Sequence, residues 1–352
     1  MRPIRVLVVE DSYTVRRYLA EVLAADPELV VVGEAADGKR AIELCGQLRP
    51  DVITLDMMLP VMTGLAATEY IMAHFPTPIL IVSSSTNRGE LFRTYDALRA
   101  GAVDVLDKAG GHEAPGAWER KFVETVKLVS RIRVITHVRA RLERARSGSG
   151  ALAPSRVREC AAVAIGASTG GPSALVEVLR EIPPTFAVPI LVVQHIGESF
   201  AQGLADWLDG QTAHRVGWAR EGQPLAAIRP GEVVMAPAGR HLVVREGKLQ
   251  LLQGPERNFC RPSVDTLFES VARELGAAGA GCLLTGMGRD GAAGLLAIRR
   301  AGGVTLTQDE ASSIVYGMPH EAVVLGAAER VLPLGEIGRA ISSIVPARKA
   351  GP

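Results

Sequence analysis

Short apolar runs alternate with segments of helical periodicity over the first 125 residues. The runs predict five strands, at Ile4–Val9, Val30–Glu34, Val52–Leu55, Ile79–Val82 and Val103–Leu106. Between these runs, apolar positions recur at helical spacing over residues 13–25, 38–48, 64–74 and 88–100. Because strands and helices alternate in this way, the pattern predicts a doubly wound parallel sheet of the flavodoxin type.

A second set of apolar runs begins near residue 161. The predicted strands are Ala161–Gly166, Pro189–Gln194, Val233–Ala236, Gly281–Thr285 and Val304–Thr307, and His241–Gln253 predicts a hairpin. This pattern is again typical of a parallel sheet. The fold class predicted for the chain is therefore α/β, with two doubly wound domains, the second Rossmann-like.

A basic segment connects the two sets of strands. From Glu119 to Arg146, apolar residues recur at helical spacing, which predicts one long helix with a basic opposite face. The next residues, Ser147-Gly148-Ser149-Gly150, are typical of a flexible linker. The predicted organisation is a first domain over residues 1–125, a helical linker over 126–155 and a second domain over 156–346.

Composition excludes several classes of protein. Hydrophobic residues make up 47% and charged residues 22%, as in globular chains and unlike disordered ones. Aromatic residues are only 4%, which argues against a stacking surface for single-stranded nucleic acid. No apolar stretch approaches the roughly 18 residues of a membrane span, so we expect no membrane insertion. The four cysteines form no C-x-x-C pair, and no secretion signal begins the chain, which predicts a cytoplasmic protein.

The net charge of +1 conceals an uneven distribution. Residues 1–125 carry 13 basic and 18 acidic side chains, residues 126–160 carry 9 and 2, and residues 161–352 carry 17 and 18. The acidic excess therefore belongs to the first domain, whereas the connector is strongly basic.

Polar side chains follow the strands of the first domain, where ligands bind in open α/β sheets. Glu10 and Asp11 follow the first strand, Asp56 the third, Ser83 the fourth and Lys108 the fifth. Taken singly, each acid could be a helix cap or a turn former. Together, the carboxylates predict a Mg²⁺ site, with Asp56 as a phosphoryl acceptor and the hydroxyl and ammonium as phosphoryl-binding groups.

Three polar groups also follow strands of the second domain. The segment Gly166-x-Ser168-x-Gly170 has the pattern of a nucleophile elbow, and His195 and Asp290 follow two other predicted strands. Serine needs a base, and the base needs an orienting carboxylate, so the three residues predict a catalytic triad. On sequence alone Ser168 could instead be a helix cap, and three further histidines are rival bases: His214, His241 and His320.

A nucleotide site is a competing interpretation of the same region. The pattern Gly286-x-Gly288-x-x-Gly291 follows a strand and opens a helix, and Asp309 comes about 20 residues later. However, Asp290 would lie within the phosphate-binding turn and repel a pyrophosphate. We therefore favour the hydrolase and keep nucleotide binding as the alternative.

The first domain resembles the receiver domain of two-component response regulators. The resemblance implies that Asp56 is phosphorylated by a histidine kinase, that Ser83 and Lys108 hold the phosphoryl group, and that Mg²⁺ is bound. The metal residues implied are Glu10, Asp11, Asp56 and Met58. The chain departs from the usual pattern in having Ala109, and not proline, after the lysine.

The second domain resembles the chemotaxis protein-glutamate methylesterases. The shared motifs are Ile165–Gly171, Gln194-His195, Arg261–Asp265, Thr285–Gly291, Asp309–Ser313 and Gly317–Pro319. The resemblance implies a phosphorylation-activated hydrolase that removes methyl esters from chemoreceptor glutamates, releases methanol and also deamidates receptor glutamines. It implies Ser168 as nucleophile, His195 as general base and acid, Asp290 as orienting carboxylate, and Met287 with Thr169 as oxyanion donors. No esterase cofactor is expected.

Other functions are also compatible with the sequence. The chain could serve a chemosensory pathway other than motility, or be an adaptor with a decayed esterase. The basic connector is compatible with a DNA-binding response regulator, but no helix-turn-helix pattern follows the receiver, so we expect no nucleic-acid partner. The expected partners are a chemotaxis histidine kinase and methyl-accepting chemoreceptors.

Overall fold

The computed structural model describes residues 2–84, 88–109, 114–132, 134 and 160–344. Contacts divide the chain into two compact units, Met1–Gly150 and Ala151–Pro352. Each unit contains a parallel sheet with helices between successive strands, so the predicted α/β class is confirmed.

The first unit is built on five parallel strands. They are β1 (Ile4–Val9), β2 (Leu29–Ala35), β3 (Val52–Leu55), β4 (Ile79–Ser83) and β5 (Asp104–Asp107), in the spatial order β2-β1-β3-β4-β5. Strands β1, β3 and β4 are largely buried, which explains why most of their residues are apolar. The helices of this unit are Tyr13–Ala24, Gly38–Leu48, Gly64–His74, Arg88–Ala100 and Ala117–Ser130.

Local chemistry sets where two of these helices begin. The Asp37 carboxylate accepts a hydrogen bond from the Arg40 N–H at 2.8 Å, and the Thr63 hydroxyl accepts one from the Ala66 N–H at 3.3 Å. Such caps satisfy an N–H group that the first turn would otherwise leave unpaired.

The prediction of one helix from Glu119 to Arg146 is wrong. The helix ends at Ser130, and the Arg131 N–H closes a turn on Leu128. The helix also extends beyond residue 125, the predicted limit of the first domain. Val126 and Val129, which lie beyond that limit, are as buried as Phe122. Residues 133 and 135–159, which include the Ser-Gly linker, lie outside the described part of the chain.

The second unit contains a sheet of seven parallel strands. They are β6 (Ala162–Ala167), β7 (Ile190–Gln194), β8 (Val216–Trp218), β9 (Val233–Met235), β12 (Gly279–Leu283), β13 (Val304–Gln308) and β14 (Arg330–Leu332). Their order is β14-β13-β12-β6-β7-β9-β8, so the order reverses beside β6. The longer helices are Gly171–Glu181, Glu198–Gln211, Val264–Leu275, Ala292–Arg300, Met318–Val324 and Leu334–Ile344.

The remaining strands form the predicted hairpin. Strands β10 (His241–Arg245) and β11 (Lys248–Leu252) pair antiparallel. The apolar residues of β10 pack into the core formed by β6, β7 and helix Val264–Leu275. Among the described residues, no helix is both long enough and apolar enough to cross a bilayer.

Candidate functional site

The first unit has an acidic cluster where β1 and β3 end. Ligand oxygens of Glu10, Asp11 and Asp56 lie within 4.8 Å of one another. Lys108 joins the cluster: its Nζ lies 2.8 Å from Glu10 Oε2 and 2.9 Å from Asp56 Oδ2. Glu10 and Asp56 are buried, whereas Asp11 is exposed. The structure therefore brings together four of the residues predicted from the strand ends.

The electrostatics of this cluster favour a cation. Burial raises the pKa of Glu10, and the nearby Asp56 charge raises it further against the effect of Lys108. Burial acts to lower the pKa of Lys108, but its bonds to Glu10 and Asp56 outweigh burial, so the pKa is raised. One ammonium thus faces several carboxylates. These oxygen donors suit Mg²⁺, which prefers carboxylates and retains waters.

The other predicted receiver residues lie near the cluster. Ser83 ends β4 and is buried, and its carbonyl accepts a hydrogen bond from the Lys108 N–H at 3.2 Å. The Met58 thioether lies 3.6 Å from an Arg93 nitrogen. A thioether is too soft a ligand for Mg²⁺, so Met58 fits the metal set only through its backbone carbonyl. Gly64 packs directly against the Asp56 backbone, where a Cβ would collide with it.

In the second unit, Ser168 and His195 follow neighbouring strands. The backbone N–H of His195 donates to the Ala167 carbonyl at 2.9 Å, which continues the pairing of β6 with β7. The buried Gln194 amide donates to the carbonyls of Ser168 and His195, each at 2.8 Å. This side chain thus ties the two loops together, a role that the Gln194-His195 motif alone did not indicate.

His195 is held by a carboxylate. Its Nε2 lies 2.9 Å from Asp290 Oδ2. Burial acts to lower the pKa of His195, but its hydrogen bonds to Asp290 and Cys260 outweigh burial and raise the pKa to about 9. Since Nε2 faces Asp290, Nδ1 is the nitrogen left for the base. Among the described residues no hydrogen bond joins the Ser168 hydroxyl to His195, which is common in the absence of substrate.

Asp290 also caps a helix. Its carboxylate accepts the Val264 N–H at 2.6 Å and the Ser263 hydroxyl at 2.8 Å, at the start of helix Val264–Leu275. Burial acts to raise the pKa of Asp290, but the hydrogen bond and charge of His195, with bonds from Ser263 and Asn258, lower it below the usual range. The group is therefore held as a carboxylate, as its role beside His195 requires.

A second buried carboxylate mirrors this arrangement. Asp265 Oδ1 accepts the Gly294 N–H at 2.6 Å, at the start of the helix that follows Asp290. Asn258 Nδ2 bridges the two, at 2.9 Å from Asp265 and 3.1 Å from Asp290. The two helix starts are thus capped reciprocally. Asn258, Ser263 and Cys260 were missed as site residues; only Ser263 lay within a motif that the sequence singled out.

Comparison with known proteins decides the family. The profile described as CheB methylesterase matches residues 163–341, and that of the response regulator receiver domain matches residues 6–114. A protein-glutamate methylesterase/protein-glutamine glutaminase of Anaeromyxobacter dehalogenans is 46% identical over 97% of each chain. One from Nitrosospira multiformis is 43% identical over 98% of each. The chain belongs to the CheB methylesterase family.

A solved structure of the family agrees with the second unit. The crystal structure of the Thermotoga maritima CheB methylesterase catalytic domain aligns at a TM-score of 0.50 with 33% identity. The alignment covers 53% of this chain and 100% of the Thermotoga domain.

The rival histidines make contacts of other kinds. Both ring nitrogens of the buried His214 contact backbone carbonyls, of Gly231 on one side and of Leu179 and Ile182 on the other. His241 contacts the Pro255 carbonyl and accepts the Ser263 N–H. His320 is exposed, and its ring makes an edge-to-face contact with the Tyr316 ring.

One glycine of the alternative nucleotide pattern has a packing role. Gly291 is at a φ of +91° and approaches Leu283 and Val264 closely, so it packs a turn between helix and sheet. The Asp309 carboxylate accepts hydrogen bonds from the backbone N–H and the hydroxyl of Ser312. These internal contacts, with the family assignment, favour the hydrolase over nucleotide binding.

Met287 lies in the loop of this CheB-family site. It is half-exposed and stands between Gly286 and Gly288. In the described part of the chain its N–H has no hydrogen-bond acceptor, as an oxyanion donor requires. Thr169 is buried, and its carbonyl accepts the Thr285 hydroxyl at 3.0 Å.

Proposed function

We propose that the second unit hydrolyses γ-glutamyl methyl esters of chemoreceptors and uses Ser168, His195 and Asp290 as a triad. The observation that carries this proposal is the 2.9 Å contact between His195 Nε2 and Asp290, directly beside the strand end that carries Ser168. The relatives of similar length are named protein-glutamate methylesterase/protein-glutamine glutaminase, which supports the ester hydrolysis.

Acylation begins at the Ser168 hydroxyl. Its Oγ attacks the ester carbonyl while His195 Nδ1 takes the hydroxyl proton. Asp290 keeps the ring oriented and stabilises the imidazolium that forms. The N–H groups of Met287 and Thr169 are the donors proposed for the oxyanion. The imidazolium then protonates the departing methoxide, and methanol leaves an acyl-enzyme.

Deacylation repeats the cycle with water. His195 removes a proton from water as the oxygen attacks the acyl carbon, and the proton returns to Ser168 as the C–O bond breaks. A glutamine side chain can enter the same route, with ammonia as the leaving group. The glutaminase part of the relatives' names supports this second reaction for the same site.

The first unit is proposed as the switch. A chemotaxis histidine kinase would phosphorylate Asp56, and Lys108 with Ser83 would bind the phosphoryl oxygens. Mg²⁺, held by Glu10, Asp11, Asp56 and the Met58 carbonyl, would neutralise charge on the phosphoryl group. On phosphorylation, Lys108 would shift its bonds from Glu10 to the new oxygens, which changes the conformation of the receiver.

Methanol release from methylated receptor membranes tests the proposal. Wild-type protein should release methanol, and a small phosphodonor should raise the rate. Ser168→Ala should abolish release. Ser342→Ala should not, because among the described residues the Ser342 hydroxyl donates only to the Gly338 carbonyl of its own helix. Asp56→Asn should release methanol at a rate that the phosphodonor leaves unchanged. Normal release by Ser168→Ala would contradict the triad.

A further inference from the structure

A cysteine lies against the catalytic histidine. Cys260 Sγ is 3.6 Å from His195 Nδ1, the ring nitrogen that does not face Asp290. Both residues are partly exposed. The thiol also lies 3.4 Å from the Asn258 carbonyl. The triad mechanism uses Nδ1 but gives the thiol no task.

We propose that His195 Nδ1 and Cys260 Sγ form a binding site for a thiophilic divalent cation of the Zn²⁺ class, and that this cation inhibits the enzyme. Zinc binds imidazole nitrogen at about 2.0–2.1 Å and thiolate sulfur at about 2.3 Å. In tetrahedral geometry these bonds place the nitrogen and sulfur about 3.6 Å apart. The observed separation is 3.6 Å, which matches the spacing that the two zinc ligands require.

The surroundings of His195 support a metal ligand. Histidine ligands usually donate their second ring N–H to a carboxylate, which fixes the tautomer and orients the ring. Asp290 accepts that hydrogen bond here, at 2.9 Å. Asp290 itself is engaged by Ser263, Val264 and Asn258, so it orients the ring and does not complete the metal's own ligand set. Water would fill the remaining positions.

Metal binding and catalysis then compete for one nitrogen. This inhibitory consequence depends on the proposed function, because a cation on Nδ1 leaves no base for the Ser168 proton. Binding displaces the thiol proton and, below about pH 9, also the Nδ1 proton of the His195 imidazolium, so the affinity rises with pH. Cys45 and Cys282 are buried and offer no comparable site.

Cys160 provides a matched control. It is the other partly exposed cysteine, and its Sγ contacts the Ala162 carbonyl at 3.4 Å. Burial raises its pKa to about 11, which disfavours the thiolate that a metal requires. Cys160→Ser should therefore retain the metal site that Cys260→Ser loses.

The test uses full-length protein with Co²⁺ as a spectroscopic substitute for Zn²⁺. Excess Mg²⁺ is present to occupy the acidic cluster of the first unit. Wild type and Cys160→Ser should show a thiolate-to-cobalt charge-transfer band at one equivalent of cobalt, and Zn²⁺ should remove it. Cys260→Ser and His195→Gln should lack the band. A band that persists in Cys260→Ser, or is absent from wild type, would overturn the site.

The inhibition is measured separately as methanol release with and without Zn²⁺. Each variant is compared with its own metal-free rate, and a chelator should restore that rate. Cys260→Ser should need at least tenfold more Zn²⁺ for half-inhibition than wild type or Cys160→Ser. Equal sensitivity would refute inhibition through this pair. If the metal-free wild type releases no methanol, the proposed function fails while the cobalt band still decides the site.

Discussion

Replacing Asp290 by asparagine tests how the carboxylate controls the base. The substitution keeps the size of the side chain and one carbonyl oxygen, but it removes the charge that faces His195 Nε2 at 2.9 Å. Because Asp290 is buried, solvent cannot replace that charge. The interaction energy is therefore expressed mainly in the pKa of His195.

The structure sets the size of this effect. The pKa of His195 rises from 6.5 to about 9. At 1.36 kcal/mol per pKa unit, the rise corresponds to roughly 3 kcal/mol in favour of the imidazolium. Because the folded-state pKa is raised, this stabilisation is complete below about pH 6.5 and is lost as the pH rises through about 9. Burial alone would lower the pKa of His195. Asp290→Asn should therefore lower this pKa by more than one unit, and the contact with Cys260 should maintain the part of the rise that is left.

Two measurements follow the effect. The ring protons of His195, identified by comparison with His195→Gln, should titrate near pH 9 in wild type and at least one unit lower in Asp290→Asn. Since the base must be neutral, wild-type kcat/KM should rise with pH up to about 9. In Asp290→Asn this limb should move to lower pH, and the plateau should fall by about 10³–10⁴-fold because the ring is no longer correctly oriented.

Asp265→Asn is the matched control. Asp265 is also buried, also caps a helix and also bonds Asn258, but no hydrogen bond joins it to His195 in the described residues. Its substitution should leave the His195 titration within a few tenths of a unit of wild type. If Asp290→Asn titrates like wild type, or if both variants shift it equally, the assigned coupling is incorrect.

Two further predictions concern the receiver and the active-site loop. Lys108→Met removes the ammonium that pairs with the buried Glu10 and Asp56 carboxylates. Without Mg²⁺, this loss should lower the free energy of unfolding of the first unit by about 3–5 kcal/mol. Thermal unfolding should show the loss and its recovery on adding Mg²⁺, and an unchanged transition would contradict the prediction. Gly286→Ala places a Cβ 2.6 Å from Ser168 Cβ, so methanol release should fall at least tenfold while phosphorylation of the receiver continues; full esterase activity would show that the loop tolerates the shift.

Strand positions followed well from the sequence where burial was complete. The run Ile4–Val9 coincides with β1, and Val52–Leu55 coincides with β3. Both lie inside the sheet and, apart from Arg5 and Thr54, consist of apolar residues, so the runs have clear limits. By contrast, β8 and β14 were not predicted. They are three-residue strands at the two edges of the second sheet, and β14 carries the charged Arg330, so neither has a distinct apolar pattern.

Part of the candidate site could also be predicted from the sequence. Side chains after parallel strands meet at one sheet edge, and this rule predicts that Ser168 and His195 lie side by side. The rule does not determine which nitrogen of His195 faces Asp290. It also does not reveal Cys260, because the contact joins residues 65 positions apart and has no local pattern.

The end of the helix at Ser130 could not be predicted from the sequence. Apolar residues continue at helical spacing to residue 142, so periodicity alone predicts no interruption. The helix nevertheless ends at Ser130, directly after the buried Val129. A regular apolar spacing therefore does not fix where a helix ends, because most helical stability comes from tertiary packing.

Methanol release from methylated receptor membranes is the most direct test of the central claim. We predict that wild type releases methanol, that a phosphodonor accelerates release through Asp56, and that Ser168→Ala and His195→Gln release none while both are still phosphorylated. Release by Ser168→Ala at the wild-type rate, or no release by the phosphorylated wild type, would contradict it.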